Sequence, residues 1–381
     1  MTSTLPPRLS GTWRLGLAGT PAIGVAFGFA RYGSGLFLPE FRTEFGLSVT
    51  QLGVLSSGTY AGYLAALVAV GLLAPRAGPR RLIIAAGLSA TVGTALVACA
   101  VAPEMLVAGL VLAGASSGFA WAPYSDAADL MLAPGPRERV LARIPAGTAF
   151  AVAIAGPLAL LTRDGGWRFA WVAFAVIGLA VLLGNARVLP SGTVPGSGFP
   201  ARSFARRAAV PLYLTAFLYG LSGAVYWFFA VDAISRAARS GSATAPLFWT
   251  LTGLAGTAGV LTGGLLARLG LRRAHAVLLA AFAAAIALLG TAPGALTTVV
   301  VSAVLYGSSF MAISGLLAVW SHQVFPARPT TGFSVTLFAL GLGAIAGPAL
   351  LGAFADGHGL PAAFLVTAGV AALSLPFRPP R

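Results

Sequence analysis

One arginine, Arg31, lies inside an otherwise uncharged run from Leu15 to Leu38. A guanidinium in hydrocarbon costs about 2.5–3.5 kcal/mol on insertion scales, so this side chain must face protein, water or a ligand. It is permanently charged and presents five donors in a fixed fork, which suits a carboxylate or similar anion. Helical spacing places Phe27 and Ser34 on the same face. These residues predict a site for a polar or anionic solute; the alternative is a structural arginine that caps carbonyls or extends to the interface.

The composition indicates a membrane protein. Hydrophobic residues make up 57% of the 381 residues and charged residues only 9%, whereas soluble domains carry about 25% charged residues. A spanning helix needs about 20 apolar residues. The apolar runs predict an all-α protein with twelve transmembrane helices, at residues 15–38, 49–73, 82–102, 105–130, 142–161, 168–188, 209–231, 246–268, 274–292, 296–320, 331–352 and 361–377.

The positive charge is unevenly distributed between the two sides of this arrangement. All 24 basic residues are arginine, and the net charge is +15. With the N-terminus inside, eighteen arginines fall on cytoplasmic segments and five on outer loops. This bias predicts cytoplasmic termini, and the arginine-only, alanine- and glycine-rich usage predicts a bacterial plasma (inner) membrane. No stretch combines a basic face with stacking aromatics, so we expect no nucleic-acid partner.

The chain divides at a hydrophilic segment rich in glycine, proline and serine, residues 190–207. Such a composition is typical of a linker. It predicts an N-terminal six-helix lobe at 1–189 and a C-terminal six-helix lobe at 208–381.

The two halves also repeat short sequences at a common offset. Gly71–Arg81 is echoed by Gly264–Arg273, and Gly156-Pro157 by Gly347-Pro348. The repeat predicts two pseudo-symmetric lobes around a central site. Arg31 is not repeated, because Leu221 stands at the corresponding position.

The repeated loop has the pattern Gly-x-Leu-x-x-Arg-x-Gly-x-Arg-Arg, which resembles the signature loop of the major facilitator superfamily. Pro75 and Arg268 stand where that family usually has aspartate. The resemblance implies a gating role for the two loops; simple anchoring of the loops to the cytoplasmic surface is the alternative. Near the cytoplasmic end of the fourth predicted span, Asp126 and Asp129 are the two candidates for the missing carboxylate. The gating residues would be Arg76, Gly78, Arg80, Arg81, Asp126, Arg268, Gly270, Arg272 and Arg273.

The first helix carries a narrower resemblance. Residues Gly28–Pro39 are similar to the first helix of the YbfB-like branch of that superfamily, which is related to cyanate permeases. This branch has Gly-x-x-Arg-Phe, and Tyr32 replaces the phenylalanine here. The resemblance implies a transporter of small anions or other small metabolites.

Aromatic residues recur at helical spacing in the spans that line the cavity of that fold. Tyrosine and tryptophan provide an apolar wall with one hydrogen-bonding group each, although ordinary packing is an alternative for any one of them. The predicted substrate-binding residues are Arg31, Tyr32, Phe27, Tyr60, Tyr63, Trp121, Tyr219, Trp227, Tyr306 and Phe310.

Enzymatic chemistry has little support in the sequence. Gly114–Gly118 matches a nucleophile-elbow pattern but lies in an apolar helix, where the required strand–turn–helix cannot form. No zinc-protease or phosphate-loop motif occurs. The three histidines are scattered, and Cys99 is the only cysteine. We expect no enzyme activity, no cofactor and no metal.

The combined expectation is a monomeric secondary active or facilitative transporter in the lipid bilayer that moves a small solute by alternating access. A proton or other coupling ion is left open, since no carboxylate lies at a clear mid-span position. The alternatives are a multidrug efflux transporter of the same fold and a non-transporting membrane sensor.

Overall fold

The computed structural model describes residues 11–133, 137, 140–141, 143–162, 165–193, 206–237, 243–326 and 329–379, with the backbone alone for 329–331. This part of the chain is helical and contains no strand. The all-α prediction is therefore confirmed. The predicted linker lies partly outside the described residues, at 194–205.

The helices of the first half include one π-helical segment. They are α1 Gly11–Ile23, the π-helix Gly24–Tyr32, α2 Gly33–Leu36, α3 Leu38–Phe45, α4 Val49–Ala98, α5 Pro103–Met131, α6 Ala146–Leu161 and α7 Trp167–Val188.

The helices of the second half include two short 3₁₀ segments. They are the 3₁₀ turn Arg207–Ala209, α8 Val210–Ala237, α9 Thr244–Gly256, the 3₁₀ segment Thr257–Leu261, α10 Thr262–Thr291, α11 Leu296–Val324 and α12 Pro329–Ala372.

Three of the longest helices turn sharply at a glycine. Gly78 in α4, Gly270 in α10 and Gly359 in α12 have φ between 71° and 82° and extended ψ. Side chains strongly disfavour this combination, so glycine is required at each turn. Each of these helices therefore consists of two helical segments joined at the glycine.

Within the described residues, seven helical stretches are long and apolar enough to cross a membrane, and α6 is a shorter apolar helix. Many large apolar side chains point away from the protein, among them Leu17, Val54 and Val176, each more than half exposed. Water-soluble monomers rarely present such extensive apolar surface, whereas hydrocarbon tails solvate it. The chain is therefore a multi-pass membrane protein.

Glycines bring the helices of the first half into close contact. A Cβ on Gly62 would lie 2.1 Å from the carbonyl oxygen of Val111, and one on Gly114 would lie 2.1 Å from that of Thr59. Such distances exclude any side chain. Packing of α4 against α5 therefore depends on these small residues.

The two halves meet along helices that also touch at glycine. A Cβ on Gly53 in α4 would lie 2.2 Å from the carbonyl oxygen of Pro348 in α12. One on Gly156 in α6 would lie 2.5 Å from the carbonyl oxygen of Pro246 in α9. Contacts between the halves therefore involve both predicted Gly-Pro repeats.

Candidate functional site: a cavity around Arg31

The π-helix places Arg31. Its Gly24 and Gly28 pack on α6, where an added Cβ would lie 2.8 Å from the carbonyl oxygen of Gly147 and 2.4 Å from the Cβ of Ala151. A π-helical segment is rare and is frequent at functional sites. The sequence predicts an ordinary helix here, so the π-helix is a feature that sequence reasoning missed.

Four aromatic rings surround the guanidinium of Arg31. Its central carbon lies 4.1 Å from the ring centroid of Tyr63, 4.6 Å from that of Tyr60, 5.4 Å from that of Tyr32 and 5.5 Å from that of Phe27. These are cation–π distances. The residue is only 4% exposed, and its Nε has no hydrogen-bond partner.

Arg31 lines a cavity of about 390 Å³ that both halves of the chain enclose. This volume lies in the range typical of small-molecule sites. The cavity extends past Trp121 toward Leu141, Val260 and Phe333. Arg31 is the one residue in the described lining that is ionised at neutral pH.

Nine of the ten predicted substrate-binding residues line this cavity. Those from the first half are Phe27, Arg31, Tyr32, Tyr60, Tyr63 and Trp121. Those from the second half are Tyr219, Trp227 and Phe310. The spacing of aromatic residues therefore identified the lining, while their binding role stays a prediction.

Tyr306 is the residue of that set that does not line the cavity. Its ring lies behind Phe310, with the two centroids 5.3 Å apart, and its hydroxyl donates to the carbonyl oxygen of Gly223. Ser34, which helical spacing placed beside Arg31, also points elsewhere. Its hydroxyl donates to the backbone oxygen of Arg31.

An aromatic wall stands beside the guanidinium and joins the two halves. The rings of Tyr32 and Trp227 stack with their centroids 4.5 Å apart and their planes 16° from parallel. Phe310 meets both edge-on, at 6.2 Å from Tyr32 and 5.4 Å from Trp227. The wall can therefore accept a flat apolar group.

The cavity lining also contains small residues of α6 and of the second half that sequence reasoning did not assign. Examples are Thr148, Gly220, Gly256 and Ala344. These residue types are common in all membrane helices and carried no distinguishing signal.

At one end of the molecule, an ion pair crosses between the halves. Asp232 of α8 is fully buried, and its carboxylate lies 3.2 Å from Nε of Arg42 and 2.7 Å from Nη2 of Arg236. Arg42 belongs to α3 in the first half. We call this region the Asp232 end; the sequence pattern did not pair Asp232 with Arg42.

A second carboxylate joins the two halves at the same end. Asp356 of α12 accepts hydrogen bonds from the backbone N–H groups of Val49 and Thr50, at 3.1 and 3.0 Å, and from the Thr50 hydroxyl. It therefore caps the first turn of α4, where a negative charge is favourable. Because α4 belongs to the first half, this cap also joins the halves.

At the opposite end, the two repeated loops adopt the same turn. Gly78 has φ 71° and ψ 166°, and Gly270 has φ 71° and ψ 161°. Arg80 donates to the carbonyl oxygen of Ala186 at 2.6 Å, and Arg272 donates to that of Pro379 at 2.8 Å. Each arginine thus holds its loop to the end of its own half. We call this region the Arg80 end.

The remaining predicted gating residues form fewer polar contacts. The side chains of Arg76, Arg81, Arg268 and Arg273 are exposed, and among the described residues they form no ion pair. Asp126 is half-buried and pairs with none of the loop arginines. Its neighbour Asp129 pairs with Arg137. A gating role for Asp126 stays a prediction.

Known structures share this fold. A bacterial homolog of the human lysosomal transporter Spinster, solved inward-facing and occupied, has a TM-score of 0.74 and 16% identity over 96% of this chain and 95% of that one. A mutant form of the nucleoside transporter NupG has a TM-score of 0.75 and 13% identity over 96% of this chain and 98% of that one. No curated protein sequence matches this chain.

The fold and the buried cavity define a membrane transporter of the major facilitator superfamily, and not an enzyme. The model of one family, described as the uncharacterised MFS-type transporter YbfB, matches residues 23–377. The chain belongs to this family. The resemblance predicted from Gly28–Pro39 and from the repeated loops is thereby confirmed.

Proposed function

We propose that this protein carries a small anion across a bacterial plasma membrane, as a facilitative or secondary active transporter that works by alternating access. The observation that supports this is the charge of the cavity. Arg31 is 4% exposed, lies on the cavity surface, and faces no carboxylate within the described lining. A buried cation without a counter-charge is costly, and an anionic solute supplies that charge.

The transport cycle requires two lobes, and the helices are consistent with twelve spans. Of the seven long apolar stretches, the three that turn at glycine count twice, which gives ten. The shorter α6 adds one, and α1 together with the π-helix and α2 adds another. The proposed division remains 1–189, a linker at 190–207, and 208–381.

The resting conformation is proposed to be open toward the cytoplasm. The positive-inside rule assigns the arginine-rich loops, and both termini, to the cytoplasmic side. Contacts that join the halves cluster at the Asp232 end, whereas Arg80 and Arg272 hold only their own halves. The Spinster homolog was also solved inward-facing.

Opening of the Asp232 end would complete the cycle. It requires rupture of the Arg42–Asp232 pair and of the Asp356 cap, which bind the two halves together. Each of the two repeated loops would then move as a rigid part of its own lobe. In this proposal the protein acts as a monomer in the lipid bilayer. No carboxylate of the described cavity lining is available to bind a proton.

Multidrug efflux by the same fold is the second candidate, and the aromatic wall favours it. Stacked tyrosine, tryptophan and phenylalanine rings also accept flat hydrophobic cations. Arg31 opposes this candidate, since like charges repel in a site of low dielectric constant.

Flux measurements in proteoliposomes test the proposal. We expect uptake of at least one monovalent organic or inorganic anion by the wild type. The variant Arg31→Gln should lose it, whereas Arg187→Gln, which removes the same charge from an exposed position on α7, should retain it. Efflux of hydrophobic cations with full activity in Arg31→Gln would overturn anion transport in favour of the second candidate.

A further inference from the structure

We propose, on the basis of the anion-transport function above, that the cavity selects a flat monoanion in which one carboxylate or similar group is attached to an aromatic ring. The charge would meet Arg31, and the ring would lie on the aromatic wall of Tyr32, Trp227 and Phe310. Three features of the lining lead to this class of ligand.

The first feature is the number of charges. Four rings surround the guanidinium at 4.1–5.5 Å, and they stabilise the cation without neutralising it. The described lining contains no other charged residue of either sign. A second negative charge on the ligand would therefore lack a cation, and an ammonium group would lack a carboxylate. One negative charge matches the site, whereas a dicarboxylate or a zwitterionic amino acid does not.

The second feature is the position of the wall relative to the charge. Tyr32 follows Arg31 in the π-helix, and its ring lies 5.4 Å from the guanidinium carbon. The same ring stacks on Trp227 at 4.5 Å and meets the edge of Phe310 at 6.2 Å. A ligand whose carboxylate contacts Arg31 therefore has its body against these rings. Aromatic pairs prefer the stacked and edge-on arrangements that such a wall offers.

The third feature is that several hydroxyl groups of the lining already donate hydrogen bonds within the protein. Ser117 donates to the carbonyl oxygen of Gly114 at 2.8 Å, Thr257 to that of Leu254 at 2.6 Å, and Tyr219 to that of Phe310 at 2.7 Å. Their donors are thus already satisfied by the protein backbone. A sugar or nucleoside needs several free hydrogen-bonding partners when it leaves water. These three hydroxyls therefore favour an apolar ring over a polyhydroxylated one, and Nε1 of Trp227 remains without a partner.

Calorimetric titration of the purified protein in detergent tests the proposal with a matched set of probes. The probes are benzoate, cyclohexanecarboxylate, phthalate, phenylalanine, benzyl alcohol and uridine. We expect benzoate to bind, cyclohexanecarboxylate to bind about threefold to tenfold more weakly because it lacks ring–ring contacts, and the other four to bind at least tenfold more weakly than benzoate. The variant Arg31→Gln should abolish benzoate binding.

Substitution of a residue in the aromatic wall distinguishes the contribution of the ligand's ring to binding from that of its negative charge. Phe310→Leu should weaken benzoate binding about threefold to tenfold and leave cyclohexanecarboxylate unchanged, and Phe310→Tyr should restore benzoate binding. Equal binding of benzoate, cyclohexanecarboxylate and phthalate, all lost in Arg31→Gln, would overturn the flat-monoanion proposal while anion transport stands. Binding of benzoate that is insensitive to Arg31→Gln would overturn both.

Discussion

The π-helix at 24–32 and the corresponding residues 214–222 of α8 have diverged in backbone and in chemistry. The first segment is π-helical, and its Arg31 lines the cavity. The second is regular α-helix, and its Leu221 packs inside the second half, where its backbone carbonyl oxygen would lie 2.4 Å from a Cβ on Gly347. A position that serves packing in one half therefore carries the charge of the cavity in the other.

The loops at the Arg80 end show the opposite behaviour. Gly78 and Gly270 have nearly identical backbone angles, and Arg80 and Arg272 make equivalent bonds to the end of their own half. The repeat thus preserves the loops, whereas Arg31, the charged residue of the candidate site, is not repeated. A structural role would be expected in both halves, and this is why we propose that Arg31 binds the solute.

The largest effect should come from forcing the two diverged segments to match. Leu221→Arg would bury an unpaired guanidinium among packed helices, at a cost of several kcal/mol. We expect a loss of folded protein, measured by size-exclusion chromatography in detergent. Leu221→Met, which conserves volume, is the control and should fold. A folded Leu221→Arg variant with wild-type thermal stability would show that the two positions are interchangeable.

Substitution of the loop glycines tests how similar the two halves are. Both substitutions should destabilise the protein, but by different amounts. Each backbone occupies a region where a non-glycine residue costs about 1–3 kcal/mol, so Gly78→Ala and Gly270→Ala should both lower the apparent melting temperature. Gly78→Ala should lower it more, because its Cβ would lie 2.0 Å from the carbonyl oxygen of Gly192. Around Gly270, in contrast, the described residues outside its own stretch of helix leave 4 Å of open space for a Cβ. Unfolding followed by tryptophan fluorescence measures this order, and an equal or reversed order would contradict it.

An effect of similar or smaller size should follow from loss of the arginine hydrogen bonds in the two loops. Arg80→Gln and Arg272→Gln each remove a charged donor from a backbone carbonyl, worth about 1.5–3 kcal/mol at most. The adjacent Arg81→Gln and Arg273→Gln remove an exposed charge and serve as controls. We expect lower thermal stability in the first pair and little change in the second. Identical stability in all four variants would assign the loops to surface anchoring alone.

The smallest effect concerns pH at the Asp232 end. Burial raises the pKa of Glu40 above its ordinary value, a backbone hydrogen bond lowers it, and the carboxylate of Asp232 raises it. One oxygen of Glu40 is buried without a partner. The cations paired with Asp232 at this end are Arg42, on the same helix as Glu40, and Arg236, on α8.

Because the folded-state pKa is raised, the folded state binds this proton more tightly than the unfolded state. Its contribution to stability is complete below the ordinary pKa of glutamate and is lost as pH rises through the raised value. Thermal unfolding across the acidic range should therefore show a decline with rising pH that Glu40→Gln flattens. An unchanged profile in that variant would exclude Glu40 as the titrating group.

The sequence predicted the helical class, the family and the large aromatic residues of the cavity lining, for identifiable reasons. Hydrophobicity over about 20 residues reports a span, and aromatic residues at helical spacing share a face, so nine lining residues were found. The π-helix at Arg31 was not predicted, because no residue type marks it. Tyr306 was placed in the lining because spacing cannot tell a ring on the surface from one behind it.

Contacts between distant parts of the chain were also beyond the sequence. Asp356 binds the start of α4 across 307 residues, and the partner of Asp232 in the first half lies on a different helix. Helical periodicity contains no information about such pairings. The arrangement of twelve spans in two lobes, and the roles of Arg31 and Asp126, stay predictions.

Chemical labelling inside the cavity tests the central claim most directly. In a Cys99→Ser background, Phe27→Cys places a thiol beside the intact Arg31, and Val54→Cys places one on the exposed apolar surface. In proteoliposomes, a negatively charged methanethiosulfonate reagent should modify position 27 and not position 54. Benzoate should slow the reaction at position 27, and Arg31→Gln should remove this protection. An unreactive position 27, or protection that persists without Arg31, would contradict a water-filled anion site between the halves.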